Sequence, residues 1–166
     1  MVPQITDPEP FDTADYRRAL GGFATGVCVV TANTPGGAFG ITVNSFTSVS
    51  LRPPLVLWCL DDRSDRYQAF AEAERYAIHV LPVEDREMSD RFAWGACRLT
   101  DDEFDSDVPE PPRLRNALVR LDCRAHSRTT MGDHLVIVGE VIGFEHRTGA
   151  ALTYYRGKYG VAEPMT

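Results

Sequence analysis

The sequence predicts a mainly β protein, an antiparallel barrel that is closed or nearly so, with short flanking helices. Roughly six or seven strand-sized segments, apolar or alternating, run along the chain between turn residues and short stretches of helical period. No internal repeat and no linker divides them, and 166 residues suffice for one domain with its own core. The expected layout is a flexible arm over residues 1–10, which hold three prolines and little to bury, then a single domain over residues 11–166.

Each element has a local cause. Asp12 or Thr13 caps a helix that carries Tyr16, Leu20 and Phe23 at helical spacing and ends at Gly21-Gly22. Residues 27–32 read as a buried strand; Thr34-Pro35-Gly36-Gly37 turns the chain, and residues 39–44 return antiparallel. Residues 55–60 (LVLWCL) form a fully apolar strand. After a turn at Asp61-Asp62-Arg63, Ser64 caps a short helix that runs through Ala73. Residues 76–81 are a further strand, and residues 84–93 a helix with Met88 and Phe92 on one face.

Residues 95–113 form a long polar loop, of a length that is usually functional or mobile, and the acidic run at 101–107 inside it is solvated. Val119, Leu121, Cys123 and Ala125 then alternate with Arg120, Asp122, Arg124 and His126, the pattern of a half-exposed strand. Gly132-Asp133 turns into a long strand over residues 134–144 that pairs back on it, and residues 152–160 close the tail.

Composition removes several function classes. A hydrophobic content of 43% with 25% charged residues is ordinary for a soluble domain. The net charge of −7, without a basic stripe, argues against a nucleic-acid partner. Apolar runs are strand-sized, so no membrane span is expected, and the first residues lack a signal-peptide pattern. Cys28, Cys59, Cys97 and Cys123 are scattered, with no histidine at ligand spacing. Free thiols in a reducing cytoplasm are therefore expected, and no metal site. There is no G-x-G-x-x-G, no G-x-S-x-G and no H-E-x-x-H. Gly21 and Gly26 have P-loop spacing, but Val27-Cys28 stands where Lys-Ser/Thr is required. What remains fits chemistry carried by a bound organic cofactor.

The most informative stretch is GITVNSFTSVSLRPP at residues 40–54. A strand-like alternation (Ile41, Val43) runs into a hydroxyl-rich segment, stops at a Pro-Pro pair, and is followed at once by the apolar strand at 55–60. Hydroxyls and backbone amides between two buried strands can satisfy a polar, planar, anionic ligand without formal charge, which suits a flavin nucleotide. This pattern, T-x-N-S-F-x-S-V-S and then P-P, resembles the flavin-binding segment of the flavin reductase-like family, whose members fold as FMN-binding split barrels. The resemblance runs from about Phe11 to Gly160. It includes Arg18-Ala19-Leu20, Phe23-Ala24-Thr25-Gly26-Val27, Ser89-Asp90-Arg91-Phe92-Ala93, Gly132-Asp133-His134 and Tyr155-Arg156-Gly157-Lys158-Tyr159-Gly160.

The resemblance implies an NAD(P)H:flavin oxidoreductase that passes hydride from NADH, or NADPH, to FMN or FAD and supplies reduced flavin to a partner monooxygenase. Family members are homodimers with flavin sites near the interface. It further implies that Thr42, Asn44, Ser45 and Phe46 lie along the isoalloxazine. Ser48 and Ser50 would reach the ribityl chain and phosphate, and Arg91 and Phe92 would approach the flavin. Ser64 at a helix start, with Arg63 and Arg66 nearby, reads as a phosphate anchor. His134, in its Gly-Asp-His turn, is implied to contribute to NADH binding. Tyr155 and Tyr159 can stack on a ligand or seal a dimer contact, and Arg156 or Lys158 can meet a 2′-phosphate. His79 reads as a satisfied core histidine, and His126 and His146 as surface residues. The alternatives are a split-barrel flavoprotein reducing a corrinoid, an iron chelate or a quinone, a non-enzymatic flavin-binding protein, or an oxidase of the pyridoxamine-phosphate type.

Overall fold

The computed structural model of the chain describes residues 11–105 and 111–165; the arm expected over 1–10 and part of the acidic run lie outside them. Helix α1 (Thr13–Leu20) precedes β1 (Thr25–Gly26), β2 (Cys28–Thr34), β3 (Gly37–Val43), β4 (Thr47–Leu51) and β5 (Pro54–Asp61). Helix α2 (Tyr67–Ala71), β6 (Arg75–Val80) and α3 (Arg86–Trp94) follow. The long strands β7 (Val119–Met131) and β8 (His134–His146) come next, then β9 (Ala151–Tyr155) and β10 (Lys158–Ala162). Seven strands form one antiparallel sheet in the order β3-β2-β6-β7-β8-β5-β4, and β1, β9 and β10 form a second. The mainly β, antiparallel expectation holds.

The strand order explains why the sheet is a barrel with a slit. Its two edge strands, β3 and β4, are joined by Asn44-Ser45-Phe46 alone. Such a link reaches at most about 14 Å, so the sheet must curl until its edges nearly meet. Among the described residues no ladder joins β3 to β4, and the barrel stays split along that seam. Ser45 stitches the link to β5: its hydroxyl accepts from Cys59 N (2.9 Å) and donates to Cys59 O (3.3 Å).

Burial follows the alternation of the strands. β5 sends Val56, Trp58 and Leu60 into the barrel. There Trp58 meets Phe70 of α2 and Tyr76 of β6 edge-on, at centroid distances of 5.8 and 5.9 Å. β2 reads as an unbroken apolar run because both its faces are covered. Cys28, Val30 and Ala32 face the barrel interior, while Val29 packs in a second core with Leu81, Phe92, Leu114 and Leu152. A Cβ at Gly40 would lie 2.8 Å from the Phe92 ring. Glycine alone therefore lets α3 sit this close to β3.

His79 of β6 fastens the second core and is fully buried. Its Nδ1 donates to Val29 O (3.1 Å) and its Nε2 accepts from Leu114 N (3.1 Å), which fixes the neutral tautomer. Burial pushes its pKa down to about 3. The sequence reading of a satisfied core histidine is met at both nitrogens.

Several local expectations are corrected. Residues 47–51 of the hydroxyl-rich stretch are a strand, paired to β5 with a shift of register at Val49. The helix expected from Ser64 starts only at Tyr67, and Ser64 Oγ instead accepts from Arg66 N (3.2 Å) in the preceding turn. Asp122 is buried rather than exposed, because Arg113 (2.7 Å) and Arg120 (3.2 Å) neutralise it. The tail is a β9–β10 hairpin that turns at Arg156-Gly157, both with positive φ (48° and 78°). β9 also pairs with β1, Thr25 opposite Tyr154. Helix α1 starts at its expected cap, with Asp12 Oδ1 accepting from Ala14 N (2.8 Å), but ends at Leu20 and leaves Phe23 outside it. Its apolar face is nonetheless open: Tyr16, Leu20 and the following Phe23 are 50, 55 and 77% exposed.

Candidate functional site

The seam between β3 and β4 opens on two adjoining cavities. The larger, about 890 Å³, is walled by residues 41–45, Cys59, residues of the turn after β5, His134, and Arg17 of α1. The smaller, about 570 Å³, lies among the end of β3, Arg86, Ser89 and Asp90 of α3, and Tyr154, Lys158 and Tyr159 of the last hairpin. Thr42, Val43, Asn44, Ala93 and Trp94 line both, so the cavities are halves of one groove. Each half falls in the range of small-molecule sites, roughly 300–1,000 Å³.

Backbone geometry brings Thr42, Asn44, Ser45, Arg63, Ser64, Arg66 and His134 together on the larger half. Thr42 Oγ1 donates to Ser89 O (2.8 Å), which ties the β3 wall to α3. Tyr159 belongs to the smaller half: its hydroxyl contacts Ser89 Oγ (2.9 Å) and donates to Asp90 Oδ1 (2.9 Å). Partial burial, together with the Asp90 carboxylate, pushes this phenol above its ordinary value. The guanidinium of Arg86 lies over its ring at 5.1 Å.

His134 opens β8, directly across the ladder from Asp61. Its Nδ1 is 2.7 Å from Asp133 Oδ1, so Nδ1–H donates to that carboxylate and Nε2 is left for a ligand. That bond holds Asp133 below the usual carboxylate range. Hydrogen bonds from Arg63 do the same for Asp61, helped by the nearby charges of Arg63 and His134. Arg63 is paired with Asp61 at 3.2 Å. Arg17 makes no ion pair among the described residues and brings an uncompensated cation to the groove.

Other sequence-named residues stand back from it. Phe92 is buried in the second core. Arg91 turns away to chelate Glu103, donates to Arg98 O (2.6 Å), and lies over the Phe92 ring at 4.6 Å. Phe46 packs against the barrel core. Ser48 is exposed on β4, and Ser50 accepts from Arg52 N (3.1 Å). Arg66 does line the larger half, but it is largely buried and donates to Ala93 O (3.5 Å) and Gly95 O (2.8 Å). Of the two cations considered for a 2′-phosphate, Lys158 lines the groove, whereas Arg156 lies over the Tyr155 ring at 5.3 Å.

Sequence reasoning missed Arg17, Asp61, Arg86 and Trp94 as groove residues. Trp94 had a readable signal: two positions past Phe92, it falls off the Met88–Phe92 face, so an aromatic there points away from the core. Among the described residues no hydrogen bond in the groove joins Cys59 or Ser64 to His134. The groove offers donors, cations and apolar walls, which bind and align a ligand that brings its own redox capacity.

Residues 20–163 match the profile of the flavin reductase like domain. The chain is 44% identical over 149 residues to the FMN reductase (NADH) SmoA of Agrobacterium fabrum, spanning 90% of this chain and 86% of that protein. It is 34% identical to the reductase component of the 4-nitrophenol 4-monooxygenase/4-nitrocatechol 2-monooxygenase of Rhodococcus opacus, over 92% of this chain and 82% of the relative. Among solved structures, the NADH:FAD oxidoreductase SgcE6 of Streptomyces globisporus, in complex with NAD and FAD fragments, superposes with a TM-score of 0.82 at 32% identity. That superposition covers 95% of this chain and 98% of SgcE6.

Proposed function

The chain belongs to the flavin reductase like domain family, and from this premise we propose that it reduces FMN or FAD with NAD(P)H and supplies the reduced flavin to a separate monooxygenase component. The observation that carries the reading is the meeting, in one groove, of the Thr42–Ser45 seam, the cations Arg17 and Arg63, and His134. The residues fit the ligand: neutral donors and peptide groups at 42–45 suit the uncharged ring edge, and arginines suit the phosphate. When bound, the flavin supplies the hydride acceptor at N5, and the nicotinamide supplies the hydride from C4.

The protein's part is binding and alignment. Thr42, held to Ser89, and Ser45, held to Cys59, keep the seam rigid, while Asn44 is exposed to the ligand. Arg17, Arg63 and Ser64 attract the phosphate. His134 Nε2 meets the carboxamide or pyrophosphate of the donor, with Asp133 fixing the ring. Ser48, Ser50, Phe46, Arg91 and Phe92 support the seam and α3 from outside the groove.

Anaerobic mixing of the protein with FMN or FAD and NADH, with NADPH in parallel, tests this directly. Bleaching of flavin absorbance well above the protein-free rate is expected; flavin binding without bleaching would discard the reductase reading. In the same assay His134→Ala is expected to raise the KM for NADH about tenfold, the loss of one good hydrogen bond, with flavin affinity within about twofold of wild type. Unchanged NADH kinetics would remove His134 from the site.

We propose a homodimer built on the same surface. An eight-residue helix is marginal unless its apolar face packs, and α1 buries none of its residues. Leu51, Phe144 and Val161 are likewise exposed. A second copy seated on Tyr16 and Leu20 would adjoin the groove, because Arg17 on the same helix lines it. Sedimentation at micromolar concentration is expected to give twice the chain mass of 18.4 kDa; a monomer would refute the assembly.

A further inference from the structure

Trp94 is 88% exposed, whereas Trp58, the other tryptophan, is wholly buried. It is the last residue of α3 and lines both halves of the groove together with Thr42, Val43 and Asn44. A broad apolar ring left in water at the one place where two cavities join is poorly used unless a ligand covers it.

Its root is fixed from two directions. The guanidinium of Arg66 reaches the carbonyls of Ala93 and Gly95, the residues on either side of Trp94. Gly95 N also donates to Arg91 O (2.7 Å). A guanidinium buried to 8% exposure needs partners for its donors, and here two of them are given to the carbonyls of the residues that flank Trp94. The backbone is held, and the indole face is free.

We infer that Trp94 is the stacking plate of the groove: its indole lies against the isoalloxazine of the bound flavin, where the two cavities join. The inference rests on the reading of the groove as a flavin site. Indole stacks on flat conjugated heterocycles whatever their substituents, so the same plate serves FMN and FAD. Arg66 is a positioning residue that acts through the peptides at 93–95, which is the role the structure gives it in place of a phosphate contact.

The test compares wild type, Trp94→Leu and Trp94→Tyr as full chains, with two readouts. Flavin affinity is measured by ultrafiltration, and emission per bound flavin at saturating protein. Electron-rich aromatic rings quench flavin emission only on contact. Trp94→Leu is expected to bind FMN about tenfold more weakly than wild type, with clearly brighter bound flavin. Trp94→Tyr, which still stacks, should recover affinity to within about threefold and restore most of the quenching. Unchanged affinity and brightness in Trp94→Leu would overturn the inference while leaving the flavin site standing. Loss of dimer mass with unchanged per-site affinity would assign the indole to a subunit contact and overturn it equally. Failure of wild type to bind any flavin would bring down the functional reading and this inference with it.

Discussion

Replacing Phe92 with alanine is expected to lower the unfolding free energy by about 3–5 kcal/mol, the usual cost of deleting a fully buried aromatic ring. The ring has no accessible surface and lies against Gly40, where no Cβ intervenes. Nothing nearby can collapse into the space, because β3 on one side is held in the ladder with β2. Arg91, whose guanidinium covers the ring from outside, is already committed to Glu103. The melting temperature should fall by about 6–20 °C for a chain of this size. Phe92→Leu, which keeps most of the volume, should lose less than half as much. Chemical unfolding curves decide it: a loss below about 1 kcal/mol would mean that α3 is not fixed to β3 through this ring. The effect should also reach the groove, since the next two residues of α3 are Ala93 and Trp94.

Acid should destabilise the fold through His79. The imidazole is neutral when folded, with a pKa near 3, while in the unfolded chain it titrates near 6.5. Below pH ~6.5 the unfolded state therefore binds a proton that the folded state refuses, and stability falls as pH drops toward the folded value. The slope approaches one proton, about 1.4 kcal/mol per pH unit, so about 2 kcal/mol is lost between pH 6.5 and 5. The lowered carboxyls of Asp61 and Asp133 act in the same direction at lower pH. Asp85, whose carboxyl is raised by partial burial, acts in the opposite direction. His79→Gln retains a donor for Val29 O and an acceptor for Leu114 N but does not titrate. Urea unfolding of the two proteins from pH 7 to 5 should show the slope in wild type alone. Parallel slopes would remove His79 as the acid-sensitive group.

Much of this molecule was readable from its residues. Asp12 announced α1, the unbroken apolar run at residues 55–60 announced β5, and Met88 with Phe92 announced the buried face of α3. Local chemistry decides each of these. β4 was not read: Val49 and Leu51 alternate with Ser48 and Ser50 over only four residues and stay exposed, and the segment becomes a strand because the returning β5 supplies a partner ladder. The seam residues and His134 were legible as a set only through resemblance, since nothing local says that the turn before β8 will face the link after β3. Arg66 and Arg91 show the limit most clearly. Arg66 was named from its place beside Ser64, and Arg91 from the resemblance. Each is claimed by groups at the far side of a loop, the carbonyls at 93 and 95 for one and Glu103 for the other. An arginine's partner is a property of the fold rather than of its neighbours in the chain.

The pairing of β1 with β9 sets an order of assembly. Thr25 waits for Tyr154, and most of the chain lies between them. Strands β2 to β8 form one continuous ladder without β9 and β10, but a groove lacking that hairpin lacks Tyr154, Lys158 and Tyr159. Long-range closures of this kind come late in folding. The smaller half of the groove is thus complete only once the hairpin has docked on β1. A ligand that binds the finished groove favours that last docking step by mass action.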